Sequence, residues 1–493
     1  MLLGIDLGTS SVRAVAVDET GAVRAVGARE YGIDSPQPGW AEQDPDGWFA
    51  CTCQAIGEVI AQGVDPSQIQ AVGFSGQMHG TVLITANGAA VRPAIIWADQ
   101  RSAPQCAEIT ANVGLERLAE ITGNRISPGF MAATLAWVKQ HEPSSLAKAA
   151  WALLPKDYLC YRLTGCVDAE PSDASSTLLF DIARRDWSDE LTDAVGIPKT
   201  LLAPVVPSTK AVAGVCREAA AATGLVQGTP VVIGGGDQPI AAVGNGVLDP
   251  GTALCTIGTG GQLFCPTRQP VVDPKLRTNS FCHIAPDRWF VMGATLSAGL
   301  SLRWLRDKLG GGMNYGSLAV DAATVSPGAE GLFFLPYLVG ERTPHMDPAA
   351  RGCFIGLTPR HGIGHLARAV MEGVAYSMRD ALGVFGELGL SVDRIIASGG
   401  GGSSPLWRQI LADVLARPLG LVDGEERAGV GAALVAGVGV GVFRSLNDAV
   451  GKAVRRGAVT EPSDTAAFHA KAYPIFRELY GRLQEPFQRI AAL

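Results

Sequence analysis

Short apolar runs in this chain alternate with longer segments in which apolar residues recur every three to four positions. The short runs are typical of β-strands and the longer segments of amphipathic or buried helices. They predict strands over 2–7, 12–17, 70–75, 81–85, 230–234, 253–257, 262–265, 289–293 and 394–398. They predict helices over 45–63, 101–111, 132–140, 146–164, 295–309, 364–386 and 403–416. The alternation of the two kinds of element indicates an α/β fold.

Two segments, residues 3–11 and 254–261, share one pattern: an apolar strand, a turn of Gly and hydroxyl residues, and a second apolar strand. Glycine lets a ligand approach the backbone closely, and the exposed N–H groups and hydroxyls of such a turn suit phosphate oxygens. Either segment alone is read as an ordinary hairpin turn. As a pair they predict a clamp on one nucleoside triphosphate. The residues predicted at its phosphates are Gly8, Thr9, Ser10, Gly258 and Thr259.

Both common phosphate-binding loops are excluded for these turns. There is no Gly-Lys-Ser/Thr sequence, and neither turn opens a predicted helix, as a Walker loop or a dinucleotide-binding glycine loop requires.

The chain is too long for one hydrophobic core, because single cores rarely grow beyond about 250–300 residues. Residues 247–251 (Val-Leu-Asp-Pro-Gly) indicate a turn just before the second hairpin. We therefore predict two domains, residues 1–247 and 248–493. Each starts at or near a hairpin followed by α/β structure, which indicates a remote internal duplication.

Composition narrows the class of protein. A hydrophobic share of 47% and a charged share of 18% are typical of globular proteins. A net charge of −7 without a block of like charge argues against nucleic acid or an anionic membrane as partner. No secretory segment is visible, and the apolar run 428–443 is shorter than a membrane span and predicts a buried helix. Ten scattered cysteines without paired CxxC units indicate reduced thiols, a cytoplasmic location and no zinc site.

A candidate catalytic carboxylate follows the strand 231–233. Three glycines separate this strand from Asp237, which predicts that its side chain faces a cleft. Phosphoryl transfer to an alcohol needs a carboxylate that accepts the hydroxyl proton, and Mg²⁺ held in part by carboxylates through water. Asp237 suits the first role and Asp6 the second, with both carboxylates reaching Mg²⁺ through water. The alternative for Asp237 is a turn or helix-capping residue.

Two loops carry the polar groups that polyol recognition requires. Gln77, Met78 and His79 lie in a Gly-flanked loop after a strand, and Trp97 and Asp99 lie at the exit of residues 92–101. Polyols are recognised by hydrogen-bonding groups beside an apolar face. For Trp97 the alternative is a core residue.

These segments resemble the FGGY carbohydrate kinases, most closely the xylulokinase branch, over nearly the whole chain. The most specific matches are Gly76-Gln-Met-His-Gly80 and Arg92-Pro-Ala-Ile-Ile-Trp-x-Asp-x-Arg101. Other matching segments are 154–159, 234–237, 340–345, 352–372 and 399–402 with Trp407. Glycerol kinases carry Arg-Glu in place of Met78-His79, which disfavours glycerol. One departure is Thr134, where the family usually has Lys.

The resemblance implies a two-lobed, actin-like ATPase (ribonuclease H-like) fold with a duplicated core and an interlobe cleft. It implies ATP and Mg²⁺ as cofactors, a small-molecule sugar as substrate and phosphorylation of a ketopentose, D-xylulose to D-xylulose 5-phosphate. A homodimer is compatible with it. The implied sugar-binding residues are Gln77, Met78, His79, Trp97, Asp99, Asp237 and Gln238; those for ATP are Gly8, Thr9, Ser10, Arg13, Gly258, Thr259, Gly400 and Gly401.

Two alternatives stay open. Another FGGY kinase, acting on ribulose, gluconate or a deoxy-sugar, shares most of these motifs. An actin- or chaperone-like ATPase shares the two hairpins, but it leaves the loop around His79 and the Gly-Gly-Gly-Asp237 segment unexplained.

Overall fold

A computed structural model describes residues 1–493 and contains 21 strands and 18 α-helices. The strands are β1 Leu2–Leu7, β2 Ser11–Val17, β3 Val23–Glu30, β4 Glu42–Gln43, β5 Ala71–Gly76, β6 Val82–Ile84, β7 Ala94–Ile95, β8 Trp151–Leu153, β9 Phe180–Asp181, β10 Asp186–Trp187, β11 Ala211–Gly214, β12 Pro230–Gly236, β13 Gly251–Ile257, β14 Gly261–Thr267, β15 Asn279–Cys282, β16 Trp289–Thr295, β17 Phe333–Leu335, β18 Cys353–Ile355, β19 Val392–Ser398, β20 Leu419–Val422 and β21 Arg456–Thr460. The helices are α1 Pro45–Ala61, α2 Ala103–Val113, α3 Leu115–Thr122, α4 Met131–His141, α5 Pro143–Lys148, α6 Pro155–Thr164, α7 Pro171–Ser175, α8 Asp189–Val195, α9 Arg217–Thr223, α10 Asp237–Gly244, α11 Gly299–Leu309, α12 Tyr315–Ala323, α13 Ile363–Glu387, α14 Gly399–Ser403, α15 Pro405–Leu415, α16 Arg427–Gly439, α17 Leu446–Ala453 and α18 Ala466–Ala491.

Two large sheets repeat one strand pattern. The first has the order β11-β12-β5-β1-β2-β3, and the second the order β15-β16-β14-β13-β19-β20-β21. In the first, β1, β2 and β3 form an antiparallel meander, and β5 and β12 add in parallel to the β1 side. In the second, β13, β14 and β16 form the meander, and β19 and β20 add in parallel. The predicted duplication and the two predicted hairpins, β1–β2 and β13–β14, are confirmed.

One helix from the second half of the chain packs on the first sheet. Helix α16 lies against β1 and β5, and a Cβ on Gly4 would stand 1.8 Å from the carbonyl oxygen of Gly429. Val430 to Ala436 share a hydrophobic cluster with Leu2 and Val15, so the predicted buried helix is confirmed. The core of the first lobe therefore includes residues from beyond the predicted boundary at 247, and that boundary stays a prediction.

The predicted strands are all present, and one predicted helix is wrong. Residues 146–164 divide into α5, β8 and α6, because Trp151–Leu153 pair with Val82–Ile84 and Pro155 begins a new helix. The helix predicted over 295–309 begins only at Gly299, since Thr295 ends β16. The helix predicted over 403–416 is interrupted at Ser404, whose side chain accepts from the N–H of Trp407 and caps α15.

None of the helices combines the length and the apolar character needed to cross a membrane. The longest, α13 and α18, are amphipathic; α13 packs on β14 and β16 of the second sheet, and α18 packs on α13 and α15.

Candidate active site

The turn between β1 and β2 is held by three side chains from outside the hairpin. The Tyr31 hydroxyl donates to the Gly8 carbonyl, and Gln43 Nε2 donates to the Thr9 carbonyl at 2.7 Å. Trp97 Nε1 donates to the Thr9 hydroxyl at 2.9 Å. Because these groups fix the turn, its position does not depend on the hairpin alone. Trp97 is 39% exposed, so it is not the core residue of the alternative interpretation.

The neighbouring residues of this turn differ in accessibility. Ser10 is exposed, as a phosphate contact requires. Arg13 stands opposite Asp6 in the hairpin, and its guanidinium is paired with Glu426, just before α16. A phosphate role for Arg13 therefore competes with this ion pair and stays a prediction.

The two candidate carboxylates lie at the carboxyl edge of the first sheet. Asp6 of β1 accepts a hydrogen bond from the Ser75 hydroxyl of β5 at 2.7 Å, and burial raises its pKa. Asp237 follows β12, the next parallel strand. Burial, and then the charge of Asp6, raise the pKa of Asp237 to about 7. A carboxyl with such a pKa is suited to accept a proton near neutral pH.

Asp237 is the first residue of α10. The two interpretations of this residue, one at a cleft and one at a helix terminus, are therefore compatible. The glycines before it are required by space. A Cβ on Gly234 would stand 1.9 Å from the Phe74 carbonyl oxygen, and one on Gly236 would stand 2.9 Å from the Met78 sulfur. Glycine here lets β12 approach β5 and lets Met78 pack beneath Asp237.

His79 is held rigidly in an unfavourable backbone conformation, with φ at 76°. Its N–H donates to the Ser176 hydroxyl at 3.2 Å, and its Nδ1 lies 3.0 Å from the Ser176 carbonyl oxygen. The imidazole stacks on Phe130 with ring centroids 3.7 Å apart. Burial lowers the pKa of His79 to about 3, so the ring is neutral. Because Nδ1 must donate to a carbonyl, Nε2 is the acceptor.

The first cavity, of about 130 Å³, brings most of the predicted sugar residues together. Its walls include Gln77, Met78, His79, Trp97, Asp237 and Gln238, together with Thr9, which the sequence assigned to ATP. The sequence did not predict its other walls, Phe130, Gln262, Met292, Ala294 and Arg342. Gln77 leaves its Oε1 buried without a partner, while its Nε2 donates to Gln43 at 3.0 Å. The cavity thus combines aromatic faces, a neutral imidazole and a carboxylate.

Asp99 is not part of this cavity, which corrects its assignment to the sugar. It is fully buried and accepts from the Ala41 N–H at 2.6 Å and from the Arg101 guanidinium at 2.8 Å. Arg101 in turn packs over the Trp40 ring and pairs with Glu42. Asp99 therefore holds the loop that carries Trp97 and makes no contact with the cavity.

A second cavity, of about 260 Å³, lies at the carboxyl edge of the second sheet. Gly258, Gly400 and Gly401, which the sequence assigned to ATP, line it, and nothing lies within 4 Å of a Cβ built on Gly400. Thr259 is beside it, and its hydroxyl accepts from Arg303 at 2.7 Å. The other lining residues were not predicted; they are Ile257, Gly299, Leu302, Arg303, Tyr315, Ala319, Met371, Ser404 and Trp407. Its apolar walls and glycine floor suit a flat heteroaromatic base with phosphates at the turn.

Comparisons with known proteins identify the family. The family model "FGGY family of carbohydrate kinases, N-terminal domain" matches residues 1–244, and the model of the C-terminal domain of the same family matches residues 253–440. The chain belongs to the FGGY family of carbohydrate kinases.

Most full-length relatives of this FGGY kinase are xylulose kinases, and a gluconokinase of Bacillus subtilis is 30% identical over 99% of this chain and 97% of that protein. A xylulose kinase of Bacillus subtilis is 36% identical and one of Escherichia coli 37% identical, with 97% and 98% of this chain and 95% and 99% of those proteins covered. The solved structure of a xylulose kinase from Rhodospirillum rubrum matches with a TM-score of 0.91 at 32% identity over 99% of both chains. The predicted fold class is confirmed, and the protein is a sugar phosphotransferase that uses ATP.

The sequence contained only weak indications that the remaining residues line the first cavity. Arg342 lies within the segment 340–345, which matched the family, but nothing in its spacing connected it with His79. Phe130 precedes α4, and Met292 and Ala294 lie on β16, where they read as core residues. Only the packing of the two lobes brings them to one cavity.

Proposed function

We propose that this FGGY kinase transfers the γ-phosphoryl group of ATP to D-xylulose and forms D-xylulose 5-phosphate. Two xylulose kinases share more than a third of its residues over nearly full length. The observation that carries the proposal is the first cavity, where Asp237, with its raised pKa, and His79, with a free acceptor nitrogen, line one small space.

Asp237 acts as the general base. The sugar hydroxyl oxygen attacks the γ-phosphorus of ATP, the bond from that phosphorus to the β–γ bridging oxygen breaks, and ADP leaves. The hydroxyl proton passes to the Asp237 carboxylate. Transfer to a group with a pKa of about 7 is favourable as the hydroxyl becomes more acidic in the transition state.

His79, Trp97 and Phe130 select and orient the sugar. His79 Nε2 accepts a hydrogen bond from a sugar hydroxyl, and the unpartnered Oε1 of Gln77 and the side chain of Gln238 offer further partners. Trp97 and Phe130 supply flat apolar faces for the C–H groups of the sugar. The small volume favours a short-chain sugar over a large glycoside.

ATP binds along the second cavity with its phosphates toward the first. Its base lies among Leu302, Tyr315 and Met371, and the glycines at 258 and 400–401 let the phosphates approach the backbone. Thr259, Gly8, Thr9 and Ser10 lie at the two turns that face the phosphates. This assignment rests on the wall chemistry and on the repeat of the hairpin in both sheets.

Mg²⁺ is the metal that the family implies, and the residues present fit it. The charge of Asp6 raises the pKa of Asp237, which lines the first cavity, and Asp237 forms no ion pair with Lys or Arg. Mg²⁺ is usually bound by one or two carboxylates together with the phosphates of the substrate. Bound there through water, the ion would neutralise phosphate charge. Mg²⁺ itself, a cytoplasmic location and a homodimer stay predictions.

An ADP-coupled assay over D-xylulose, D-ribulose, D-gluconate and glycerol tests the proposed substrate. We expect the highest kcat/KM for D-xylulose, and ATP turnover without sugar at least 100-fold slower. A higher kcat/KM for another compound would reject the D-xylulose assignment, and sugar-independent turnover would reject the kinase role of the first cavity.

A further inference from the structure

A third cavity, of about 210 Å³, lies beside the sugar cavity and is lined by three arginines and no Asp or Glu. The arginines are Arg125, Arg277 and Arg342, and the remaining walls are neutral. The sugar cavity shares Arg342 with this one but also contains the Asp237 carboxylate, whereas this one contains no Asp or Glu. This difference in charge indicates different ligands.

Arg125 lacks an anionic partner. One terminal nitrogen donates to the Leu276 carbonyl at 3.1 Å, while its Nε–H is buried with no partner. Burial lowers its pKa, and the charge of Asp273, which forms no ion pair with it, offsets only part of this effect. Arginine nevertheless stays charged in proteins.

Two other groups on the walls are also unpartnered. Arg342 forms no ion pair, and only its backbone N–H is bonded to Glu341. The hydroxyl of Thr278, a residue only 5% exposed, is buried without a hydrogen bond. A buried donor left unsatisfied carries a free-energy cost. A ligand that accepts hydrogen bonds would relieve this cost.

Arg277 contributes little free charge, since Asp273 and Glu387 both pair with it. The free positive charge of the cavity therefore comes from Arg125 and Arg342. Two guanidinium groups with a hydroxyl beside them match the oxygens of a phosphate group, because each planar fork can donate two bonds.

The third cavity shares three wall residues with the sugar cavity. Phe130, Ala294 and Arg342 line both, whereas Asp237 and Gln238 line only the sugar cavity. A ligand spanning the two would place its anionic group away from the catalytic carboxylate. Its uncharged part would occupy the space of the sugar.

We propose that Arg125, Arg342 and Thr278 form an anion subsite for the phosphate of a small phosphorylated sugar, which inhibits the kinase by excluding the sugar substrate. Inorganic phosphate shares the recognised group and binds the same subsite alone, but more weakly. The inference rests on the proposed position of the sugar, because competition requires a sugar in the first cavity.

The test measures binding and inhibition by three probes, D-ribose 5-phosphate, orthophosphate and uncharged D-ribose. Calorimetry on the ATP-free protein gives the Kd, and steady-state kinetics give the Ki against the sugar and against ATP. We expect D-ribose 5-phosphate to bind more tightly than orthophosphate, to compete with the sugar and not with ATP, and D-ribose to bind at least 10-fold more weakly.

The decisive variant is Arg125→Met, and its control is Arg185→Met. Arg185 also donates to carbonyls of the other half of the chain, those of His283 and Arg288, but it lines none of the three cavities. We expect Arg125→Met to raise the Kd and Ki of D-ribose 5-phosphate at least 10-fold, and Arg185→Met to leave both within twofold.

Several results would overturn the inference. One is equal affinity of Arg125→Met and the parent for D-ribose 5-phosphate, and another is an equal effect of both variants on that affinity. The others are binding of orthophosphate but not of D-ribose 5-phosphate, and competition of D-ribose 5-phosphate with ATP. If the proposed sugar position is wrong, competition with the sugar fails while the loss of binding in Arg125→Met remains, so the two failures are distinguishable. If Arg125→Met fails to fold, Thr278→Val replaces it, with an expected rise in Kd of at least threefold.

Discussion

The imidazole Nδ1 of His79 lies 3.0 Å from the carbonyl oxygen of Ser176, and the Ser176 hydroxyl accepts from the His79 N–H. These two contacts fix both the backbone and the tautomer of His79. The Ser176 hydroxyl in turn donates to Asp173 at 3.2 Å, in a buried cluster around Lys156. The acceptor nitrogen of the sugar cavity is thus positioned by a network that lies outside it.

His79→Ala should raise the KM for the sugar about 5- to 150-fold, with the KM for ATP changed less than threefold. The reason is the loss of one hydrogen bond to a buried hydroxyl, about 1–3 kcal/mol. His79→Asn is the matched control, because Asn tolerates positive φ and keeps a side-chain acceptor. It should recover part of the loss. Steady-state kinetics with each substrate varied in turn measure both KM values. An equal rise of the two would contradict the prediction.

Asp237→Ala should lower kcat about 100- to 10,000-fold, the usual contribution of a general base. Nucleotide affinity should stay within a few-fold, because Asp237 does not line the second cavity. Single-turnover kinetics and ADP titration measure the two quantities. Activity within a few-fold of the parent would exclude Asp237 as the base.

Asp6→Asn should raise the Mg²⁺ concentration needed for half-maximal rate at least fivefold, and added Mg²⁺ should restore part of the rate. The change removes charge but keeps an oxygen that can accept from Ser75. Asp237→Asn should show no such rescue, since its defect is a missing proton acceptor. Titration of Mg²⁺ at saturating ATP distinguishes them, and identical metal dependence would refute the division of roles.

Glu341→Gln should stabilise the protein at high pH more than at low pH. Glu341 is buried, and burial raises its pKa to about 8, whereas the unfolded value is about 4.5. Because the pKa is higher in the folded state, Glu341 makes its full contribution to stability below pH 4.5. This contribution is lost as the pH rises to 8. The Tm difference between variant and parent should therefore grow by several degrees from pH 5 to pH 9. Glu108→Gln, at an exposed helix position, should show no such growth.

Gly4→Ala should destabilise the protein strongly, by more than about 3 kcal/mol, because its Cβ would meet the Gly429 carbonyl at 1.8 Å. The matched control is Gly57→Ala in the interior of α1, where no atom lies within 4 Å of the added Cβ. That change should stabilise by about 0.5–1 kcal/mol, the helix propensity gained. Denaturant unfolding of both variants measures the contrast. A mild effect at Gly4 would mean that α16 and β1 can separate without cost.

The accuracy of the sequence interpretation varied with the range of the interactions involved. The hairpins and the strand before Asp237 were predicted because glycine and alternating apolar residues determine local backbone geometry. The helix over 146–164 was wrong, because strand β8 forms only by pairing with β6. Asp99 was placed at the sugar by its position beside Trp97, but its pairing with Arg101 buries it.

The sequence by itself determined the duplicated α/β elements, the two glycine-rich hairpin turns, both candidate carboxylates and the loop of His79, because each depends on residues close together in the chain. Only the tertiary structure decided that α16 completes the first lobe, that Arg342 and Phe130 meet His79, and that Arg125 and Arg342 share a cavity without a carboxylate. These contacts join residues 51 or more positions apart. Their geometry follows from tertiary packing within and between the two lobes, which no local pattern records.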